Sequence, residues 1–372
     1  MTRIHFGWSS SKWRRHAAAV SLHGHTCYSR ENLSFIGAWL RSATVCGPLL
    51  RRTKRDLSFP NFWWTPPLSP SACFHIEAAQ IEGCLDARPL VSITDHDEIG
   101  ACRILQTMLG PHTPVSIEWS VPLGPSFVHI GIHNLPTASA ESMFHFMRQY
   151  TAHPCPALLS ELLSWINESP ATLVVLNHPL WDEAHIGAAA HQNMVRALLA
   201  RHSGQIHALE LNGLRSCKEN AAVLALSEES GLPAVSGGDR HGTEPGACVN
   251  LTNAVSFAEF TAEVRRYKRS TVLFMPRYAV PHSRRQIEAA WDLMRDYPEY
   301  PERRRWTDRA FVNDADGTAR SLSTLWHSGE PWPARACYRL LRHLGGGPSA
   351  RLLSAPGLTA RLFGPRRPPL AS

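Results

Sequence analysis

Several signals that would place this chain in a familiar class are missing from its 372 residues. No apolar run approaches the eighteen or so residues that a membrane-spanning helix needs, and the N-terminal segment has no continuous apolar core of the kind found in signal peptides. The nine cysteines form no CxxC pair, and an odd number spread over a long chain is typical of reduced thiols. We therefore expect a soluble, unsecreted, cytoplasmic protein without a membrane partner.

Motifs for covalent catalysis are missing as well. The chain has no GxSxG sequence, and Cys27, beside two histidines, is better explained as a small packed residue than as a nucleophile. Histidine, in contrast, is abundant, with 20 copies, which is more than an ordinary globular composition needs.

The net charge of +7 is concentrated near the C-terminus. Residues 333–372 contain seven Arg and no acid, and without them the chain has as many acidic as basic residues. A basic tail can attract phosphate-rich partners, but this one has few aromatic side chains to stack on bases. We therefore favour a solvated end over a nucleic-acid-binding segment.

Short apolar runs rich in β-branched residues recur through the first three quarters of the chain, which predicts buried strands. The runs are 20–22, 90–93, 115–117, 127–132, 172–176, 206–211, 233–235 and 271–275. Helical patterns lie between several of them, for example at 158–166 and after Ser256. The alternation predicts an α/β fold with a mainly parallel sheet, open or closed into a barrel.

The chain divides into a main domain at 15–280, a C-terminal extension at 281–343 that is partly helical, and a low-complexity basic tail at 344–372 that we expect to be disordered. The main domain is interrupted at about 30–89 by a connection with a basic stretch, a Pro- and Trp-rich segment and a predicted helix near 76–85. Such length favours either a lid over the site or a surface excursion packed on its own tryptophans, and we prefer the second.

Histidines and acids lie at or just beyond the ends of these apolar runs. In a parallel α/β fold the carboxyl ends of the strands converge on one face, where active sites form. Imidazole and carboxylate without paired thiolates are typical ligands of Zn, Mn or Fe. The candidate metal ligands are His23, His25, Asp95, His96, Glu118, His129, His178, Asp239 and His241.

The spacing of these residues strengthens the prediction. Because side chains alternate along a strand, His23 and His25 point to the same face and can hold one ion, and Asp239 and His241 repeat that geometry. Glu118 is the one acid of its strand and suits a carboxylate that bridges two cations.

The ordered motifs SLHGHTCYS, SITDHDEIGA, PVSIEWS followed by VHIGIHN, LNHP and GGDRHG span residues 20–242. In this order the chain resembles the polymerase and histidinol phosphatase (PHP) superfamily. The resemblance implies a distorted (β/α)7-type barrel, here with a long insertion after the first strand and a C-terminal extension. It also implies a metal-dependent phosphoesterase that uses two or three divalent ions.

The resemblance also implies how the ligands are shared. One metal would be held by His23, His25, Glu118 and Asp239. A second would be held by Glu118, His129 and His178, and a third by His96 and His241, with Asp95 orienting ligands or adding charge.

The chain departs from the PHP pattern at three places. Where the family usually has Ser-Asp-Gly, this chain has Ser29, Arg30 and Glu31. Either Glu31 reaches the third metal, or that metal is missing or weak and Arg30 clamps a phosphate group. Trp181 stands where many members carry a basic residue after His-Pro, and the insertion itself is the third departure.

The ligand set and the resemblance together predict hydrolysis of phosphomonoesters or phosphodiesters by a metal-activated water. Catalytic roles are expected for Glu118, His178, Asp239 and Arg30, and phosphate binding for Arg30 and Arg240. The expected partner is a small phosphorylated substrate, such as a nucleotide or oligonucleotide. Two alternatives stay open: an amidohydrolase-like metal hydrolase and a metal-binding regulatory module without turnover.

Overall fold

The structure is a computed structural model that describes residues 1–8, 15–32 and 61–346. Its strands are β1 (Thr2–Phe6), β2 (Ala18–Ser21), β3 (Glu31–Asn32), β4 (Phe62–Trp64), β5 (Arg88–Val91), β6 (Val115–Leu123), β7 (Ser126–Leu135), β8 (Leu173–Asn177), β9 (Ala208–Asn212), β10 (Ala234–Gly237), β11 (Cys248–Thr252), β12 (Ser270–Phe274), β13 (Ala310–Asn313) and β14 (Ala319–Ser321). Each of the predicted apolar runs overlaps one of these strands.

The helices alternate with the strands through most of the chain. They are α1 (Pro70–Leu85), α2 (Gly100–Leu109), α3 (Ala140–Ala152), α4 (Pro156–Asn167), α5 (Ala188–Arg201), α6 (Cys217–Ser230), α7 (Phe257–Arg265), α8 (His282–Met294), α9 (Trp306–Arg309), α10 (Leu322–Leu325) and α11 (Trp332–Leu341). Short 3-10 turns lie at Pro276–Ala279 and Pro301–Arg303. Within the described part of the chain, no helix combines the length and apolarity needed to cross a membrane.

The described strands form three sheets, with the orders β1-β12-β11-β2-β5, β10-β9-β8-β7-β6 and β14-β13-β4-β3. In each five-stranded sheet two neighbouring pairs run parallel and two antiparallel. The predicted α/β class is confirmed, but the sheets are mixed rather than mainly parallel. One reason is that only Gly124 and Pro125 separate β6 from β7, and so short a connection can join only antiparallel strands.

The two five-stranded sheets contact each other along β10 and at the end that carries the candidate ligands, without closing into a barrel. The Asp239 N–H donates to the His23 carbonyl (2.7 Å), and the Glu118 N–H donates to the Asp95 carbonyl (3.1 Å). No continuous strand ladder links the sheets in the described ranges, so the expected distorted (β/α)7-type barrel is not shown. His23 and Asp239 have φ values of 65° and 51°, and left-handed backbone cannot continue a regular ladder.

The core lies between the sheets and their covering helices. The apolar face predicted at 158–166 belongs to α4, which buries Leu159, Leu162, Leu163 and Ile166. Trp119 of β6 is fully buried, and its indole N–H donates to the Thr151 hydroxyl (2.9 Å). Packing of this kind fixes the strands whose ends carry the candidate ligands.

The insertion and the C-terminal extension contribute to the third sheet. β3 and β4 come from the insertion, and β13 and β14 come from the extension. The helix expected near 76–85 is α1, which begins earlier, at Pro70, after the N-cap residue Ser69. The basic stretch at 51–55 and the predicted tail from residue 347 onward lie outside the described residues.

Candidate metal centre

Four overlapping groups of histidines and acids lie where the two five-stranded sheets meet. Within each group the possible ligand atoms lie within 4.8 Å of one another. The groups are His25, Glu31, His96 and His241; His23, His178 and Asp239; His23, His25 and Glu118; and His96, Glu118 and His129. The structure therefore brings together eight of the nine predicted ligands, all except Asp95, and adds Glu31.

The fold delivers these side chains from strand ends and from one hairpin. His23, His178 and Asp239 follow the carboxyl ends of β2, β8 and β10, whereas Glu118 and His129 lie within β6 and β7. His23, His178 and Asp239 all have positive φ, at 65°, 26° and 51°. Non-glycine residues rarely adopt this conformation, and where they do, the surrounding structure often maintains it at a functional site.

Glu118 occupies the middle of the cluster and has no exposed surface. Its carboxylate lies within 3.7 Å of five imidazoles, those of His23, His25, His96, His129 and His178. Oε2 lies near the first three of these rings and Oε1 near the last two. A carboxylate whose two oxygens face different imidazole sets has the arrangement required of a bridging ligand.

Glu118 is within hydrogen-bond distance of His23 Nε2 (2.8 Å) and His178 Nε2 (3.1 Å), whereas several other distances between ligand atoms match a metal shell. Donor atoms about 2.1 Å from a tetrahedral ion lie about 3.4 Å from one another. Glu31 Oε2 lies 3.4 Å from both His96 Nε2 and His241 Nε2, and His25 Nε2 lies 3.6 Å from Asp239 Oδ1. His25 Nε2 is also buried without a hydrogen-bond partner, so a cation would satisfy an otherwise orphaned atom.

Metal ligands must be deprotonated, and His25, Glu118 and Asp239 meet this condition, whereas neighbouring carboxylates outweigh burial and raise the pKa of His23, His96 and His241. Burial, together with the neighbouring His241, lowers the pKa of His25 to about 4, which leaves its imidazole neutral. Burial alone would raise the pKa of Glu118, but the imidazoles around it, His23 first, outweigh burial and hold that pKa well below its usual range. The pKa of Asp239 is lowered in the same way, chiefly by His23.

Sequence reasoning missed Glu210, which supports two of the candidate ligands from behind. This buried carboxylate accepts a hydrogen bond from His23 Nδ1 (2.5 Å) and another from the His178 backbone N–H (2.7 Å). The Asn212 side-chain amide donates to the same Glu210 oxygen as the His178 N–H, Oε2 (2.9 Å). A carboxylate behind a metal-binding histidine fixes the ring orientation. The sequence feature that could have identified Glu210 is its position as a lone acid inside the apolar run ALELN.

Asp95 lies beside the cluster and belongs to none of the four groups. Its carboxylate accepts hydrogen bonds from the backbone N–H (2.5 Å) and the hydroxyl (2.7 Å) of Thr26. Burial raises its pKa to about 7. The contacts of Asp95 therefore hold the segment that directly follows His25.

The two arginines predicted to bind phosphate make other contacts. Arg30 is exposed and lies over the Trp63 ring, 4.9 Å from its centre. Arg240 is buried, lies 3.1 Å from the Glu77 carboxylate and donates to the Gln80 side chain (2.7 Å). In the described ranges, neither guanidinium contacts a candidate metal ligand.

Arg215, which the sequence reasoning did not select, lies closer to the cluster. Its guanidinium stacks on Trp181, 3.8 Å from the ring centre, and its Nη2 lies 4.0 Å from Asp239 Oδ2. Its Nε is buried and has no hydrogen-bond partner. Trp181, which stands where many PHP proteins carry a basic residue, thus supports a guanidinium that comes from the loop after β9.

No family model and no curated protein matches this chain. Similar solved structures include PsfC from Pseudomonas syringae PB-5123, at 13% identity over 70% of this chain and 93% of that chain, with a TM-score of 0.39. A two-domain protein from Bacteroides vulgatus ATCC 8482 that contains a predicted PHP-like metal-dependent phosphoesterase has 13% identity over 67% of this chain and 63% of its own, with a TM-score of 0.39.

An amidohydrolase from Chromobacterium violaceum is also similar, at 18% identity over 48% of this chain and 84% of that chain, with a TM-score of 0.33. At these identities and TM-scores the similarities support no functional argument. The geometry of the cluster therefore carries the functional conclusion.

Proposed function

We propose that the protein hydrolyses phosphate esters with divalent cations held by the His/carboxylate cluster. The spacing of the ligand atoms around Glu118 carries this proposal, because one buried carboxylate lies within 3.7 Å of five imidazoles. The donor atoms are nitrogen and oxygen without thiolate, which favours zinc, manganese or iron. Bound cations would polarise the phosphoryl oxygens and lower the pKa of a water molecule.

Two or three cations are expected from the way the groups overlap. Glu118 is shared by a group that contains His23 and His25 and by a group that contains His96 and His129, as a bridging carboxylate requires. Glu31 offers a further position, because its carboxylate completes the group of His25, His96 and His241. This arrangement favours the first of the two alternatives for the Ser-Arg-Glu segment, in which Glu31 reaches the third metal.

The substrate would approach from the side of His96 and His241. Their side chains are 15% and 14% exposed, whereas those of His25 and Glu118 are fully buried. Arg215 is better placed to bind a phosphate oxygen than Arg30 or Arg240, because its Nη2 lies 4.0 Å from Asp239 Oδ2.

A small cleft beside His129 and His178 would take the leaving group. Phe127, Trp181 and Glu183 also line it. Burial raises the pKa of Glu183, so its carboxyl group is a candidate proton donor to the leaving alkoxide, beside the role predicted for His178.

The proposal is tested with purified wild-type protein, His25→Ala and Glu118→Gln. Bound metal is measured by elemental analysis, and hydrolysis is measured on panels of phosphomonoesters, phosphodiesters and amides. We expect both variants to lose metal and phosphate release together. Glu263→Gln serves as the matched control, because Glu263 accepts a hydrogen bond from Thr252 (2.6 Å), which pairs with Ala18 at the far end of β2.

Other outcomes would contradict the proposal in different ways. Amide hydrolysis without phosphate release would favour the amidohydrolase-like alternative. Bound metal without turnover on any panel would favour a regulatory module.

A second experiment separates the arginines. Arg215→Ala should raise the KM for phosphate esters roughly 10- to 100-fold, the worth of about 1.5–3 kcal/mol for a hydrogen bond to a charged group, with unchanged metal content. Arg30→Ala should leave KM unchanged. If Arg30→Ala raised the KM and Arg215→Ala did not, Arg30 would be the phosphate-binding residue.

A further inference from the structure

The candidate ligand Glu31 lies on a strand that has little support of its own. β3 contains two residues and pairs antiparallel with β4, with Glu31 opposite Trp64 and Asn32 opposite Trp63. A two-stranded ribbon is marginally stable in water. The Ser29 hydroxyl donates a hydrogen bond to the Glu31 carboxylate (2.6 Å), and the backbone position of Glu31 depends in addition on whatever holds β4.

The C-terminal extension holds β4 through β13. Ala310 pairs with Trp64 and Phe311 with Trp63, and the Trp63 and Phe311 rings stack with their centres 4.2 Å apart. The Trp63 indole N–H also donates to the Asn313 side chain (3.0 Å). These contacts make β4 an interior strand, flanked on one side by β3 and on the other by the extension.

The same extension also holds the segment that follows His241. Asp292 of α8 accepts hydrogen bonds from the hydroxyl (2.8 Å) and the backbone N–H of Thr243, and from the backbone N–H of Glu244 (3.2 Å). Gly242, the residue next to His241, permits this approach, because a Cβ there would overlap the Asp292 carboxylate.

Glu31 and His241 are ligands in one group, whose other members are His25 and His96. All four lie in the main domain, but the extension contacts the segments that carry two of them, Glu31 and His241. The remaining groups consist of residues on or just after strands of the five-stranded sheets. Dependence on the extension is thus concentrated at one of the candidate metal positions.

We propose that the C-terminal extension completes the cation position formed by His25, Glu31, His96 and His241, by holding Glu31 through β13 and His241 through Asp292. Phe311 and Asp292 are positioning residues for this site. The inference rests on the metal cluster of the proposed function but not on the reaction, since cation binding is measured without a substrate.

In the test, the full-length chain is first freed of metal and then titrated with Mn²⁺. Equilibrium dialysis and isothermal calorimetry measure the number of cations bound and their affinities. Glu31→Gln should lose one equivalent that the wild type binds. Phe311→Ala and Asp292→Asn should weaken that same equivalent about 10- to 100-fold, as expected for residues that orient ligands, and leave the others unchanged. Phe311→Tyr keeps an aromatic ring and should retain wild-type binding.

Arg320→Ala is the matched control, because Arg320 lies in β14 of the extension and pairs with the Asp314 carboxylate (2.7 Å). Circular dichroism verifies that each variant is folded. Wild-type stoichiometry and affinity in Phe311→Ala and Asp292→Asn would overturn the proposal, and so would equal weakening of every equivalent. A wild type that binds cations in this manner but hydrolyses no phosphate ester would refute the proposed function and leave this inference standing.

Discussion

Glu210→Gln is the sharpest test of how the cluster is supported. The wild-type carboxylate accepts hydrogen bonds from His23 Nδ1, the His178 N–H and the Asn212 side chain. A glutamine keeps the shape but removes the charge, and it turns one acceptor into an NH2 group. That NH2 group would face a donor on at least one side, so the His23 ring or the His178 backbone would move.

The expected magnitude follows from these contacts. Loss of an outer carboxylate that orients a metal-binding histidine typically costs 10- to 100-fold in metal affinity, or about 1.4–2.7 kcal/mol. Glu210 acts on two candidate ligands, His23 and His178, so we expect a value near the upper end. The metal-free fold should persist, because the substitution leaves the side-chain volume nearly unchanged.

The assay is competition with a chromophoric chelator, which reports the dissociation constant for Zn²⁺ or Mn²⁺ directly. Glu263→Gln is again the control. Affinity in Glu210→Gln within about twofold of the wild type, under conditions where Glu263→Gln is also unchanged, would refute the role assigned to Glu210.

Three further predictions follow from the structure. Gly237→Ala should reduce metal affinity as Glu210→Gln does, because a Cβ at this position would overlap the Glu210 carboxylate, and the chelator assay would show it. Removal of bound cations should destabilise the wild type by about 2.7 kcal/mol for each cation that is bound at 100 times its Kd, measured by denaturant unfolding, with a smaller difference in Glu118→Gln. Burial is the main cause, and the charge of Arg265 the second, of a pKa of about 3 for His207 in the folded protein. Below pH 6.5 the unfolded chain therefore binds a proton at His207 that the folded protein does not bind. The free energy of unfolding should therefore fall as the pH drops from 6.5 toward 3, and His207→Gln should fall less steeply.

Local pattern indicated which histidines and acids come together, because residues just beyond the carboxyl ends of β2, β8 and β10 gather where the sheets meet. Most of the apolar runs end next to a polar side chain, so the sequence alone indicates which residues lie near the sheet ends. The strand alternation expected for His23 and His25 does not apply, because both residues follow β2 and His23 has a φ of 65°. Glu118 could be recognised as a bridging candidate because it is the one acid of its strand. The expectation of zinc, manganese or iron follows from residue type and needs no coordinates.

Strand pairing between segments that are distant in the sequence could not be predicted from local pattern. Nothing in the local sequence shows that Ala310 of the extension pairs with Trp64 of the insertion, or that β6 and β7 make the sheet mixed. Likewise, the local sequence does not indicate that Glu210 lies beside His23 or that Arg215 lies beside Asp239. The packing of β9 against its neighbours brings these residues together.

The sequence by itself determined the α/β class, the strand ends and the nitrogen and oxygen ligand set, since alternation and residue chemistry are local properties. The tertiary structure decided that Glu31 joins the cluster, that Arg30 and Arg240 lie in other contacts and that the sheets meet without closing. Those outcomes depend on which surfaces bury each other, and that choice is made by the packing of the whole chain.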